Sequence, residues 1–209
     1  MTTRRPLLIF PCNGNGTEAL ACLGDTWECV GFVDDTPEKQ GREVHGIRVY
    51  DRGILRERSD AAVLAVPGSP TSFRTRRTLI ESLGVPAERY AQVIHPRATI
   101  SPYARLGTNV LVMAGAAVSH AVLGDHVLVL PNAVVVHDTS IGAWSIVGAN
   151  ATVAGETRVG EECYLGAGVS IGNRLTIGDG ALVGIGCVVI RDVPAGATVV
   201  GNPARPLSS

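Results

Sequence analysis

Residues 134–142, VVVHDTSIG, set a histidine and an aspartate directly behind three valines. Neutral imidazole can accept a proton near neutral pH, which makes His137 a candidate general base. A neighbouring carboxylate can fix the ring tautomer and raise its basicity, a role open to Asp138. The same pair could equally be plain solvated surface. In both cases it is costly to bury unsatisfied, while valines favour a buried strand. The surrounding elements must therefore carry the chain from core to solvent within two residues. His120 and His126 lie close by in sequence. Three histidines raise the question of zinc, which needs converging ligands and an open position.

The elements are set by a repeat. Aliphatic residues recur every six positions at Ile94, Ile100, Leu106, Val112 and Val118. A five-residue step leads to Leu123, and the period then runs unbroken through Val129, Val135, Ile141, Val147, Val153 and Val159 to Val189. Glycine follows the aliphatic in eight of these twelve later repeats, so tight turns recur with the same period. A small or β-branched residue stands four places after most of them, with Leu175 the large exception. A hexapeptide period of this kind marks a parallel β-helix, in which each coil is too small to bury its own core. The two apolar slots lie two apart across the repeat boundary and face inward. Three sides make an 18-residue coil, and residues 18 apart stack at roughly 4.8 Å. His137, two after Val135, then falls at a corner and can point outward. The short step puts His120, 17 before it, one coil below on the same corner.

The first 90 residues lack the period. PLLIF reads as a buried strand and CNGNG as a glycine loop opening a helix, TEALACL. CVGFVDD reads as a second strand ending in Asp34 and Asp35, AAVLAVPG as a third strand with its loop, and TSFRTRRTLIESLG as a helix. Alternating strands and helices predict a small parallel α/β sheet. The division is a Rossmann-like domain at 1–92 and a β-helix at 93–209.

Four pieces, IHPRATISPYARLG, VVVHDTSIG, the repeat run and the ending VIRDVPAGATVVGNPARP, give the chain a specific resemblance. It resembles the hexapeptide-repeat sugar acetyltransferases of the sialic acid O-acetylating and UDP-4-amino-sugar (bacillosamine) N-acetylating types, over nearly its whole length. The resemblance implies a left-handed parallel β-helix, against the usual right-handed crossover. It also implies a homotrimer, acetyl-CoA as cosubstrate, and a nucleotide-linked amino sugar as acceptor. His137 matches the family's catalytic base and Asp138 its acidic partner. Gly155, one coil above, matches a glycine whose backbone N–H holds the thioester carbonyl. Ala167 and Ile185 match coenzyme contacts, and Asn202 and Arg205 in GNPAR would border its pantetheine or nucleotide end. Ile146 is a further coenzyme-contact position, standing where the bacillosamine-type enzymes carry a second active-site histidine. The family's Gly-His-Gly loop corresponds to PCNGNG here, with Asn15 for the histidine; Asn13, Gly14 and Asn15 could cradle a phosphate at a helix start. Asp34 and Asp35 match acids that hold the nucleotide's base or ribose, and Gly68 a substrate-loop position.

Other readings carry less. GNG is too short for a dinucleotide fingerprint. The histidine spacing does not resemble the zinc hydratases of the γ-carbonic anhydrase type, which share the β-helix, so no metal is expected. A non-catalytic β-helix assembly module and O-acetylation remain the alternatives. Eighteen basic residues nearly balance nineteen acidic ones with no charge run, which argues against nucleic acid and anionic membranes. The N-terminal apolar run is too short for a signal peptide, and no stretch is long enough to insert in a bilayer. Five scattered cysteines without a CxxC read as reduced thiols, and the expected compartment is the cytoplasm.

Overall fold

A computed structural model describes residues 3–207. Its first layer is a five-stranded sheet with β1 (Arg5–Phe10), β2 (Trp27–Val33), β3 (Glu43–Val44), β4 (Ile47–Tyr50) and β5 (Ala62–Ala65), in the order β3-β4-β2-β1-β5. β1 pairs in parallel with β2 and β5, and β2 with β4. The sequence reading expected three strands. The additional pair, β3 and β4, is an antiparallel hairpin. Its turn, His45–Gly46, has both φ angles positive (52° and 75°), the geometry of a two-residue hairpin. Asn-Gly usually signals that turn, and histidine in the first position hides it.

The helices are shorter than expected. α1 (Gly14–Glu18) starts inside the glycine stretch, and a 3-10 turn over Ala19–Cys22 follows it. Asn13 caps it by accepting the Gly16 N–H at 3.0 Å. Gly14 and Asn15 are therefore in its first turn rather than in a loop. α2 (Ile54–Glu57) precedes β5, and α3 (Arg76–Glu81) follows a 3-10 turn at Phe73–Thr75.

From Val93 onward, two-residue strands stack into a three-sided left-handed parallel β-helix. Val135 pairs in register with Val153, eighteen residues on, whereas Val118 pairs with Val135, seventeen on. The five-residue step thus shortens one corner and leaves the stack in phase. The inward slots Val135, Val153, Ile171 and Val189 form one continuous core. The inward hydroxyls of Thr139, Ser145 and Thr157 donate to the Ala154, Gly160 and Gly172 carbonyls at 3.1, 3.0 and 2.9 Å, so the corners bury few unsatisfied groups.

The outward slots differentiate the sides. One side carries Leu111, Leu128, Ile146, Tyr164 and Leu182, and the first sheet covers it through Leu7, Ile9, Phe32 and Leu64. A second carries only uncharged residues: Thr99, Ala117, Val134, Thr152, Ser170 and Val188. The third carries Arg105, Val122, Ser140, Arg158 and Thr176. Among the described residues no helix is long and apolar enough to cross a membrane.

Candidate active site

His137 and Asp138 occupy the corner joining the uncharged side to the third side, directly after the strand Val134–Val135 and before Ser140–Ile141. Asp138 adopts the left-handed conformation at φ 57°, which turns the chain through the corner. His137 Nδ1 lies 2.9 Å from Asp138 Oδ2, and the two side chains are 55% and 72% exposed. With the carboxylate on Nδ1–H, the Nε2 lone pair is left to accept a proton.

The imidazole lies against Gly155 in the next coil. A β-carbon on Gly155 would sit 2.7 Å from His137 Cε1 and 2.8 Å from Nε2. Glycine lets the ring take this seat, since any side chain there would displace it. The corner also presents a donor. Ala154 and Glu156 donate to the Ile171 and His137 carbonyls at 3.1 and 3.0 Å, but among the described residues the Gly155 N–H between them meets no acceptor. The His137 and Asn173 N–H groups, in the same slot of the neighbouring coils, also meet none among the described residues; an unpaired N–H beside an imidazole is an arrangement able to stabilise a developing oxyanion. Beside it, Arg174 pairs with Glu156 at 3.1 Å; that guanidinium holds the Glu156 carboxyl below the usual carboxylate range. Asp138, Glu156, Arg158 and Arg174 line an open cleft of about 460 Å³.

His120 lies one coil below, as expected; its carbonyl accepts the Asp138 N–H at 2.8 Å, and its ring meets Tyr103 edge-on. His126 is set apart from the other two. It is only 8% exposed, stacks on Trp144 with centroids 3.7 Å apart, and shares a 2.9 Å hydrogen bond with Asn109. Burial pushes its imidazole down to about 4, so it is neutral. The three histidines do not converge, and no group of metal-ligating side chains is found among the described residues.

The remaining candidates fall into two groups. Ala167 and Ile185 lie at the corner between the covered and uncharged sides, with Ile185 79% exposed. Asn202 and Arg205 are exposed at the last turn, where Arg205 pairs with Val200. The other group lies over the covered side. Asn15 donates to the Val66 and Gly68 carbonyls at 3.2 and 3.3 Å, joining the first turn of α1 to the loop after β5. Asp34, after β2, is buried; burial raises its carboxyl, but the Thr36 N–H and the Lys39 ammonium outweigh this and hold it below the usual range. Asp35 is clamped by Arg52 at 2.6 and 2.7 Å. Gly68 sits directly on Ile146, which is 1% exposed. In a three-sided stack the covered side faces away from the opposite corner. One chain therefore does not bring Asn13, Gly14, Asn15, Asp34, Asp35, Gly68 or Ile146 to His137.

The sequence reading missed Arg76 and Asn109, which lie in the seam between the two layers. The covered side did leave a signal: every eighteenth outward slot from Leu128 to Leu182 is large and apolar. Nothing local marks Arg76 as buried.

A deep stack of hexapeptide coils under a small α/β layer is the architecture of β-helical acyltransferases, and the comparisons place the chain among them. The chain resembles the acetyltransferase domain of PglB from Neisseria gonorrhoeae FA1090, solved in complex with acetyl coenzyme A: identity is 34%, 98% of this chain and 100% of that chain are covered, and the TM-score is 0.86. A variant of perosamine N-acetyltransferase from Caulobacter crescentus, in complex with CoA and GDP-perosamine, is 29% identical over 100% of this chain and 99% of that one, with a TM-score of 0.84. WeeI from Acinetobacter baumannii AYE is 26% identical over 98% and 100%, with a TM-score of 0.82. The family model of the GMPPB C-terminal domain matches residues 90–183. No curated protein sequence matches the chain. The chain belongs to the hexapeptide-repeat sugar acetyltransferase family.

Proposed function

We propose that this enzyme transfers the acetyl group of acetyl-CoA to the amine of a nucleotide-linked amino sugar, with His137 as general base. The observation that carries the reading is the His137 ring, held by Asp138 at Nδ1 and lying against Gly155, whose N–H meets no acceptor among the described residues. The PglB domain holds acetyl coenzyme A, and perosamine N-acetyltransferase holds CoA and GDP-perosamine. As the sugar nitrogen attacks the thioester carbonyl, His137 Nε2 takes its proton and the Gly155 N–H donates to the oxyanion. Collapse breaks the carbon–sulfur bond, and the imidazolium returns the proton to the leaving sulfur. Asp138 stabilises the imidazolium in between.

The coenzyme runs from Gly155 toward the C-terminal coils, along Ala167 and Ile185, with Asn202 and Arg205 at its far end. Residues 1–92 hold the acceptor through Asn13, Gly14, Asn15, Asp34, Asp35 and Gly68, and residues 93–209 carry the chemistry. These two sets lie on opposite faces of one chain, so the acceptor loops of one copy serve the His137 corner of the next. The uncharged side offers a surface for that contact, and a closed ring of three satisfies every copy. All five cysteines are free, in keeping with a cytoplasmic enzyme. The test is mass spectrometry of products from acetyl-CoA and a panel of nucleotide amino sugars. An acetamide is the expected product; an acetate ester, or no acetylation, would overturn the reading.

A further inference from the structure

Arg76, the first residue of α3, is 1% exposed; among the described residues no carboxylate pairs with it, and its Nη2 has no hydrogen-bond partner. A buried guanidinium without a counter-ion is costly, so its contacts must define a geometry that an apolar residue could not. Its Nε donates to the Pro67 carbonyl at 2.7 Å. One terminal nitrogen donates to the carbonyls of His126 and Trp144, the latter at 3.1 Å. Those two carbonyls belong to successive coils of the β-helix. Pro67 opens the loop that carries Gly68. Gly68 rests on the same seam, since a β-carbon there would meet Ile146 Cδ1 at 2.6 Å and Arg76 Cδ at 3.2 Å.

The strand leading into this loop is tied to the coil that precedes these two. Asn109 accepts the Ala65 N–H and donates to the Ala65 carbonyl, both at 2.8 Å, on the outer edge of β5. Asn15, in α1, then binds the Val66 and Gly68 carbonyls. The loop over residues 66–68 is thus held from below by two coils and from the side by the first glycine stretch. Among these ties only Arg76 spans both a loop carbonyl and two coil carbonyls.

We infer that Arg76 is a positioning residue for acceptor binding: its guanidinium locks the Pro67–Gly68 loop to the β-helix and sets the loop that receives the nucleotide-linked sugar. The inference rests on the acceptor reading of Gly68 given above. Arg76 is buried beneath the acceptor loop and away from the His137 corner, so its loss should be felt by the acceptor and not by the coenzyme.

The experiment is steady-state kinetics of the full-length enzyme, Arg76→Met and Arg76→Lys, against a nucleotide-linked amino sugar and acetyl-CoA, with melting temperatures alongside. Methionine keeps the volume and leaves three carbonyls unpaired; lysine keeps the charge but cannot fork. Loss of charge-assisted hydrogen bonds predicts a rise in acceptor KM of roughly tenfold or more in Arg76→Met. Arg76→Lys should lie between it and wild type, and the acetyl-CoA KM should stay within about twofold in both, well under the 1.4 kcal/mol that a tenfold change represents. If methionine prevents folding, the lysine variant alone shows the same split. An unchanged acceptor KM in a folded variant, or both KM values rising together, overturns the inference while leaving the parent reading intact. Wild-type enzyme that acetylates no nucleotide-linked amino sugar overturns both.

Discussion

His137 stands in the open with its ring on a glycine and one nitrogen engaged by Asp138, so two neighbours fix its orientation and tautomer. His137→Ala is expected to lower kcat by roughly 10²–10⁴ while the chain stays folded, because an exposed corner side chain adds little to the stack. Acetyl-CoA binding, read by calorimetry, should survive. If turnover stays near wild type, the base lies elsewhere; if coenzyme binding is lost as well, the histidine is a binding residue. Gly155→Ala tests the same geometry from the other side. Its methyl group would push the ring off its seat, and an ångström-scale misplacement should cost about 10²-fold in kcat. His126 makes the opposite kind of prediction. Its folded-state pKa, about 4, lies below the ordinary value of 6.5, so the unfolded chain binds its proton first. Its contribution to stability is complete above about pH 6.5 and declines as pH falls toward 4. Melting temperatures of wild type and His126→Phe across that window should converge as the pH falls. Parallel curves would show that the histidine is not the titrating group.

The repeating element tests how closely its coils pack. Gly142 and Gly172 hold the same slot in the hexapeptide, yet their surroundings differ. A β-carbon on Gly142 would lie 2.4 Å from the Gly160 carbonyl carbon, whereas on Gly172 its nearest neighbour is the Val189 oxygen at 3.4 Å. Gly142→Ala should therefore cost roughly 1–3 kcal/mol through forced separation of the coils. Gly172→Ala should be close to neutral. Equal shifts in thermal unfolding of the two variants would mean that the slot is set by turn conformation rather than by coil contact. The same crowding explains why the repeat was readable: a two-residue strand, an inward aliphatic and a corner recur with little tertiary help. The first layer was less legible because its signals are weak: His45–Gly46 replaces the usual hairpin dipeptide, and α1 begins at glycines that locally read as loop.

At the scale of the molecule, the two groups of candidate site residues lie on faces of the β-helix that one chain cannot bring together. Analytical ultracentrifugation is expected to give about three times the 21.8 kDa chain mass. A stable monomer with full activity would contradict a site assembled from two copies. A mixture of His137→Ala and Gly68→Asp chains, each inactive alone, should recover part of the activity, because some assemblies pair an intact corner with an intact loop.

By itself, the sequence determined the β-helix, the position of His137 and Asp138 on an outward corner, and the coil spacing that puts Gly155 above them. These follow from a period, and a period is a local property that each repeat states again. The tertiary structure decided what depends on residues far apart in the chain. It buried His126 between Trp144 and Tyr90 and tied Asn109 to Ala65 across 44 positions. It also placed Arg76 under the loop of Gly68 and set that loop on the side facing away from the candidate base. Which outward face is covered depends on where a second layer docks. That docking is governed by matching surfaces rather than by any repeat, so no single stretch of the chain announces it.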